Sequence, residues 1–363
     1  MPFRIGIVGA GWYGCHLAAS LISLGFSVRI FDRQEQLMRA ASGNNQFRLH
    51  QGFHYARNKD TRLQSRDGFQ RFIERYPTLS LEVPENIYAV PKRKSLLDFS
   101  TYKLIMAASG IDYLELQNPH PLLADVEGCL QTGERVIMLD RARRLFEEML
   151  QGALELGQPV KLITQDERCA TLNGERFDYV IDATWGQLRP LPVEVYYEPT
   201  LLLYYESQGI QPAITFVDGS LSSIYPTEDP AIFTLSSVPH TPLGHYATAK
   251  EAHSLLRQVD RSLVERKRAA MEAQICENVP VFQDLFRCVG AQFAIKTKPV
   301  GQSDDRSCCV FREGRIFTVM SGKIDTIFFA TERILSMIEG DHMPVRADNK
   351  PSTLRDSIIL PMN

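Results

Sequence analysis

Gly9, Gly11 and Gly14 stand at the spacing G-x-G-x-x-G, in the run GAGWYG. That spacing suits a phosphate-bearing ligand. Gly9 permits a tight turn after a strand, Gly11 lets the backbone approach a pyrophosphate, and Gly14 lets the following helix pack close to the strand. The first helical turn, which contains Trp12 and Tyr13, offers N–H groups and the positive end of a dipole to the phosphates. Asp32 follows Gly9 by 23 positions (32 − 9), with Arg33 next to it. A carboxylate there accepts hydrogen bonds from two ribose hydroxyls and repels a 2′-phosphate, which disfavours NADP.

A lone glycine pattern is weak, so the elements around it decide its meaning. Residues 3–8 form a short apolar run that reads as a buried parallel strand. Leu17, Ala18, Leu21, Ile22 and Leu24 recur with helical spacing, and Gly25 ends the helix. Residues 27–31 (SVRIF) form a second strand, closed by Asp32. Strand, glycine turn, helix, strand and acid fall in order within roughly 30 residues, as a βαβ unit requires. The expectation is a dinucleotide site.

The rest of the chain separates the dinucleotides. A nicotinamide dehydrogenase normally continues its sheet with regular βα units. Here two strands and an acid are followed by a polar stretch, residues 40–57, without a clean period. A helix is expected over 61–75, with short strands at 87–90, 111–115 and 136–139, a helix over 141–156 and a strand at 160–164. Residues 177–181 (FDYVI) read as a further apolar strand leading into Asp182-Ala183-Thr184-Trp185-Gly186. Residues 193–206, 213–217, 222–225 and 232–236 are β-rich, 247–277 are helical, and 291–296 are a strand. Residues 315–320 form a strand entering a glycine turn at 321–326, and 327–338 a closing helix. The tail after residue 340 reads as loosely held. A nucleotide domain interrupted in this way points to FAD.

These residues carry a resemblance. RIGIVGAGWYGCHLAASLISLGFSVRIFDR resembles the N-terminal FAD signature of the D-amino acid oxidase/glycine oxidase superfamily of flavoproteins. FDYVIDATWG resembles its second signature, with Trp185 inserted between Thr184 and Gly186. SGNNQFRLHQGFHY lies where that family has a loop beside the isoalloxazine, and TVMSGKIDTIFFATERI resembles its closing strand–turn–helix. The resemblance implies an α/β fold of the glutathione-reductase-2-like type: an interrupted Rossmann-type FAD-binding domain (residues 1–80, 130–190 and 300–345) and a β-rich α+β substrate domain (residues 81–129 and 191–299). It also implies FAD contacts at Gly9, Gly11, Trp12, Tyr13, Gly14, Asp32, Arg33, Ser42, Asn45, Ala183, Thr184, Gly186, Gly322, Lys323, Ile324, Asp325 and Thr326. Some relatives attach FAD through a cysteine; residues 291–300 have none, so non-covalent FAD is expected.

In such proteins the flavin accepts a hydride and the protein supplies orientation and electrostatics. The turn at Gly322–Thr326 opens a helix and, with Lys323, can stabilise a reduced flavin anion. Arg48, His50 and His54 are candidates on the flavin-side loop. A carboxylate substrate wants a bidentate arginine. Relatives acting on amino acids carry one near 294–300, whereas this chain has Lys296 and Lys298 in AIKTKPV. That departure leans away from a plain amino acid. Tyr196, Tyr197, Tyr204, Tyr205 and Tyr225 are further pocket candidates. The resemblance therefore implies oxidation of an amine, amino acid or amino-sugar-like small molecule at a C–N bond, with electrons passing to oxygen or another acceptor. Oxidation at C–OH, a redox-neutral sugar rearrangement and a NAD-dependent dehydrogenase stay open as alternatives.

Composition agrees with an enzyme of this kind. The 363 residues are 44% hydrophobic and 23% charged, and a formal net charge of −3 argues against a nucleic-acid binder. The basic run 261–268 reads as a solvated helix face. No apolar run reaches the roughly 18 residues of a membrane span, and the N-terminal residues read as a strand, not a secretory leader. Seven cysteines without metal-like spacing predict a reduced, cytoplasmic protein and no metal site. The adjacent Cys308 and Cys309 read as opposite faces of a strand.

Overall fold

The computed structural model describes residues 3–301, 305–320 and 322–342. A six-stranded sheet runs in the order Cys309–Glu313, Ile316–Met320, Tyr179–Asp182, Arg4–Val8, Ser27–Phe31, Leu154–Glu155. Neighbours are parallel throughout, except for the first two strands. Its central strands are apolar at nearly every position because both faces are covered. Helices Trp12–Ser23 and Ile327–His342 pack together on one face, and an antiparallel sheet of Ile163–Gln165, Ala170–Leu172 and Glu175–Phe177 covers part of the other. Val8 pairs with Asp182 and Asp182 with Thr318. The turns after these three strands therefore leave the same edge of the sheet side by side, where open α/β sheets bind their ligands.

A second, eight-stranded sheet runs Phe286–Pro299, Val195–Ser207, Ile232–Ser237, Ser222–Pro226, Ala213–Phe216, Asn86–Pro91, Val126–Gln131, Leu114–Leu116. Side chains alternate between its faces. One face packs Leu201, Leu203, Ile214, Ile224, Phe233 and Leu235 against Met271, Ile275 and Phe282 of helices Arg261–Cys276 and Phe282–Leu285. The intervening positions, Tyr88, Thr215, Ser223, Tyr225, Thr234 and Gln292, are equally buried but polar. Strand register sets several of them side by side: Thr215 opposite both Tyr88 and Ser223, and Tyr225 opposite Thr234. A buried polar sheet face is costly unless something hydrogen-bonds to it. Strands Arg48–Leu49, Arg135–Ile137 and Ser80–Glu82 form a small sheet between the two large ones.

Several elements depart from the sequence expectation. The helix expected over 141–156 is Leu139–Met149, and Leu154–Glu155 is instead the edge strand beside Ser27–Phe31. Gly152, with φ of +83°, breaks the helix. Apolar residues beyond it keep helical spacing by coincidence. The strand expected at 160–164 is Ile163–Gln165 and belongs to the small antiparallel sheet, and that at 111–115 is Leu114–Leu116. Helix Phe99–Ala108, capped by Asp98, was not expected. Residues 247–277 divide into Ala249–Leu256 and Arg261–Cys276, each with its own N-cap, at Thr248 and Asp260. The expectation for the tail beyond residue 340 falls mostly on residues 343–363, outside the described residues.

Candidate active site

The glycine turn follows strand Arg4–Val8 directly. Gly9 has φ of +101°, and an added Cβ would meet the Ala183 carbonyl oxygen at 2.9 Å. At Gly14 a Cβ would overlap the Gly9 carbonyl, so the helix lies against the turn as closely as backbone allows. Helix Trp12–Ser23 has Gly11 as N-cap and no side-chain cap. The Trp12 N–H donates to Ser42 Oγ (3.1 Å), and Asp32 accepts from the Ala10 N–H (2.7 Å) and the Gln34 N–H (2.8 Å). Asp32 thus sits against the glycine turn with lone pairs to spare. Among the expected FAD contacts, the Trp12 side chain is instead buried against Phe72 and Phe146, which leaves its backbone alone at the turn. The Tyr13 hydroxyl is within hydrogen-bond distance of the Lys323 carbonyl (2.9 Å) and Thr326 Oγ1 (2.7 Å), tying the first helix to the late turn. Arg33 is exposed, near Gln187 and His253.

The second turn follows Asp182. This carboxylate accepts from the Thr184 N–H (2.9 Å) and hydroxyl (2.6 Å), and burial raises its pKa. Trp185 and Gly186 both take positive φ, +62° and +73°. For tryptophan that is a strained conformation. It is held by Thr297 Oγ1 donating to the Trp185 carbonyl (2.6 Å) and by the Tyr197 hydroxyl donating to that of Gly186. The indole Nε1 of Trp185 is buried with no acceptor among the described residues. Asn45 bridges the parts: its Nδ2 donates to the Ala41 and Ser42 carbonyls, and its own carbonyl accepts from Gln292 Nε2 (2.8 Å).

The third turn, Gly322–Thr326, is seated on helix Lys59–Arg75, where a Cβ at Gly68 would overlap the Asp325 carbonyl. Ile324 packs against the core and Asp325 is fully buried. The Lys323 Nζ lies 4.2 Å from the centre of the Tyr55 ring. Burial pushes the Lys323 ammonium down and the Asp325 carboxyl up, each opposed by the charge of the other. Arg306, which the sequence did not single out, runs beside Gly322, its Cδ 2.9 Å from where a Cβ would stand.

Between these turns and the polar sheet face lies the densest set of titratable groups. Arg48 is buried, its guanidinium 4.1 Å from the centre of the Tyr225 ring, and Nη1 donates to the Tyr88 hydroxyl (2.9 Å). That hydroxyl donates onward to Glu134 Oε2 (2.7 Å). Glu134 is fully buried, accepts from the Gln51 N–H (2.9 Å) and lies 3.6 Å from His50 Nδ1. Burial pushes the His50 imidazole well below its usual range, helped by Lys323 and Arg48, and burial does the same to His54, helped by His50 and Lys323. Both rings are therefore neutral at neutral pH. Arg48 Nε and Nη2, His50 Nδ1, His54 Nδ1, Tyr225 Oη and Gln292 Oε1 have no hydrogen-bond partner among the described residues. Each such group costs about 1–3 kcal/mol if left bare, so the cluster marks where a ligand belongs.

The two expected lysines play different parts. Lys298 Nζ is 2.6 Å from Glu198 Oε1 and 2.7 Å from Oε2, and Glu198, almost fully buried, also faces His245 Nε2 at 3.1 Å. Lys298 is therefore spent on an ion pair. Lys296 is paired across the strands with Glu198, and burial, aided by Lys298, lowers its pKa to about 8. Of the tyrosine candidates, Tyr225 and Tyr204 lie on the polar face, Tyr205 turns into the apolar core against Phe282, Tyr197 holds the second turn, and Tyr196 lies against His245 with the rings tilted by 48°. Glu134, Tyr88 and Gln292 were missed; no local spacing marks them.

A family model described as FAD dependent oxidoreductase matches residues 4–291. The chain belongs to this family. An FAD-dependent monooxygenase of Fusarium mangiferae is 56% identical over 340 residues, 94% of this chain and 92% of that protein. An FAD-dependent monooxygenase of Aspergillus flavus is 29% identical, covering 92% and 85%. Among solved structures, glycine oxidase from Geobacillus kaustophilus superposes with a TM-score of 0.68 at 15% identity (93% and 95% covered), and L-α-glycerophosphate oxidase from Mycoplasma pneumoniae with 0.70 at 14% (93% and 95%). The chain is thus an FAD-dependent oxidoreductase with the glycine oxidase fold, and the NAD-dependent alternative falls away. The residues present fit FAD. Gly11 is the N-cap of the first helix and brings no side-chain cap, Asp32 accepts from the Ala10 N–H of the same turn, and Trp185 Nε1, Arg48 Nε and Arg48 Nη2 are buried donors with no hydrogen-bond partner among the described residues. No helix among the described residues is long and apolar enough to cross a membrane.

Proposed function

We propose that this FAD-dependent oxidoreductase holds its cofactor non-covalently and oxidises a small, multiply hydrogen-bonding molecule at a carbon bearing a hydroxyl group. The observation that supports this most is the buried polar sheet face. Ser223, Thr234, Tyr225, Gln292, Gln46 and Tyr88 make this face polar without charge; most of their groups are bonded within the protein, and Tyr225 Oη and Gln292 Oε1 have no hydrogen-bond partner among the described residues. Such a wall suits hydroxyls better than a lone carboxylate. The residues 1–80, 130–190 and 300–345 serve the cofactor and 81–129 with 191–299 the substrate. FAD, when bound, supplies the hydride acceptor, and oxygen or another acceptor reoxidises it. The chain's own groups bind and orient the substrate through the polar face. They place neutral imidazoles beside it to receive a hydroxyl proton, and they surround the site with Arg48, Lys296 and Lys323 as charge stabilisers.

Non-covalent attachment is supported by where the cysteines lie. Cys15 is buried in the first helix, and Cys276 and Cys288 lie on the apolar, helix-covered side of the large sheet. Acid precipitation is expected to release FAD into the supernatant; flavin retained in the pellet would overturn this part.

A second reading, oxidation at C–N, is favoured by Arg48, whose Nε and Nη2 have no hydrogen-bond partner among the described residues and match a carboxylate. The name of the Fusarium relative adds a third outcome, oxygen insertion. Turnover under ¹⁸O₂ separates this third outcome from the other two, which anaerobic bleaching by alcohols or by amines tells apart. The proposal expects unlabelled product and oxygen recovered as peroxide or not consumed at all; label in the product would replace dehydrogenation by monooxygenation.

A further inference from the structure

Glu134 is a fully buried carboxylate that no motif in the chain announces. It sits three residues past the end of strand Val126–Gln131 and just before Arg135–Ile137, and it reaches the loop 48–55 from outside. One carboxylate oxygen accepts from the Gln51 N–H (2.9 Å), the other from the Tyr88 hydroxyl (2.7 Å). These two bonds fix the group at both ends. Its Oε1 is 3.6 Å from His50 Nδ1, and its Oε2 is 3.9 Å from Arg48 Nε. The other groups facing His50 are His54 and Tyr55 on its own loop, their rings 6.0 Å and 5.8 Å away, Arg48 from the strand before it, and Lys323 from the late turn. Among the described residues, Glu134 is the anion within 4 Å of that ring.

We propose that Glu134 and His50 act as a carboxylate–imidazole pair, with Glu134 the positioning residue and His50 the base that takes the substrate's proton. This rests on the proposed oxidation at C–OH. A buried carboxylate beside Nδ1 favours the tautomer that carries its proton on Nδ1 and leaves Nε2 as the acceptor. A shift of about 0.5 Å, of the kind that accompanies ligand binding, closes 3.6 Å to a hydrogen bond. In the reaction the substrate carbon loses a hydride, which reduces FAD. The hydroxyl oxygen loses its proton to His50 Nε2, and the C–O single bond becomes C=O. Arg48 lies 3.9 Å from Glu134 Oε2 through Nε and is joined to it through the Tyr88 hydroxyl.

Two measurements on the FAD-loaded protein test this. The first does not depend on turnover: ¹⁵N NMR of histidine-labelled protein reads the tautomer of each ring. The Nδ1-protonated form of His50, assigned by its loss in His50→Gln, is expected in the wild type. It is expected to be lost or mixed in Glu134→Gln and kept in Glu134→Asp. The second is the pH profile of anaerobic flavin reduction by whichever compound bleaches the flavin. His50→Gln is expected to lose roughly 10²–10⁴-fold in rate together with the acid limb of the profile. Glu134→Gln is expected to lose less, and to move that limb to lower pH as the imidazole loses its anion. Tyr88→Phe, which removes a hydrogen bond but no charge, serves if Glu134→Gln does not fold; it should weaken the tautomer preference without moving the limb far. An unchanged tautomer in Glu134→Gln or Tyr88→Phe, or an acid limb that survives His50→Gln, overturns the pair. Bleaching by amines but not alcohols, with these effects intact, keeps the pair and overturns the hydroxyl substrate.

Discussion

At Gly11 the backbone lies at φ −80°, ψ −170°, a conformation open to any residue, so what demands glycine there is space and not strain. A Cβ would stand 2.7 Å from Ser42 Oγ, the atom that takes the Trp12 N–H. Gly11→Val is expected to fold and to lose FAD, read as the ratio of flavin to protein absorbance after purification; full flavin content would refute the placement of the pyrophosphate. Lys298 and Glu198 make the opposite kind of case. Removing the lysine takes the nearest cation from Glu198, whose side chain is 3% exposed, and leaves it His245 at 3.1 Å. Lys298→Met should cost about 3 kcal/mol in urea unfolding, while an exposed pair such as Lys94–Glu277 should cost under about 1 kcal/mol. The glycines and Asp32 were legible in the sequence because their roles are local to one turn. Glu134 was not, since it reaches Gln51 across 83 residues and only the folded chain brings them together.

Helix Lys59–Arg75 owes its place to Gly68, on which the turn Gly322–Thr326 rests. Gly68→Ala would raise helix propensity by about 1 kcal/mol in isolation. In this protein it should nevertheless destabilise, because the new methyl overlaps the Asp325 carbonyl. It is expected to lower both the melting temperature and FAD affinity, and a stabilised variant with unchanged affinity would contradict the account. The βαβ unit, the strand before Asp182 and the strand–turn–helix at the end could be read from the chain because each is an apolar run closed by glycine or acid. The edge strand Leu154–Glu155 could not, since two residues carry no period and the helical spacing of Leu139–Met149 runs on through it. The polar face of the large sheet was half visible. Alternation was plain in the β-rich segments, yet polar positions in an alternating strand ordinarily face water, and nothing local says that these are buried.

The molecule as a whole carries several neutral histidines in its interior, and that sets its response to acid. His16, within 2.7 Å of the Tyr76 hydroxyl, is lowered to about 3 by burial with help from Arg75 and Arg71, and His50 and His54 are lowered too. In each the folded value lies below the unfolded value near 6.5, so the unfolded chain takes up protons that the native one refuses. Stability is therefore lost as pH falls below about 6.5, at about 1.4 kcal/mol per pH unit for each fully refused proton. His16→Gln should flatten the dependence of unfolding free energy on pH between 6 and 4 by about one proton; an unchanged slope would refute the buried neutral ring. Thr297 and Tyr197 of the eight-stranded sheet hold the turn after Asp182, and Gln292 holds Asn45; everything proposed about chemistry depends on a substrate lying there against the polar face. The most direct test is anaerobic mixing of the FAD-loaded protein with small polyols, hydroxylated rings and amines, following the flavin absorbance. The account predicts bleaching by a hydroxylated compound with no oxygen and no nicotinamide present. A flavin that stays oxidised with every such compound, and is reduced only by NADH or NADPH, would contradict it.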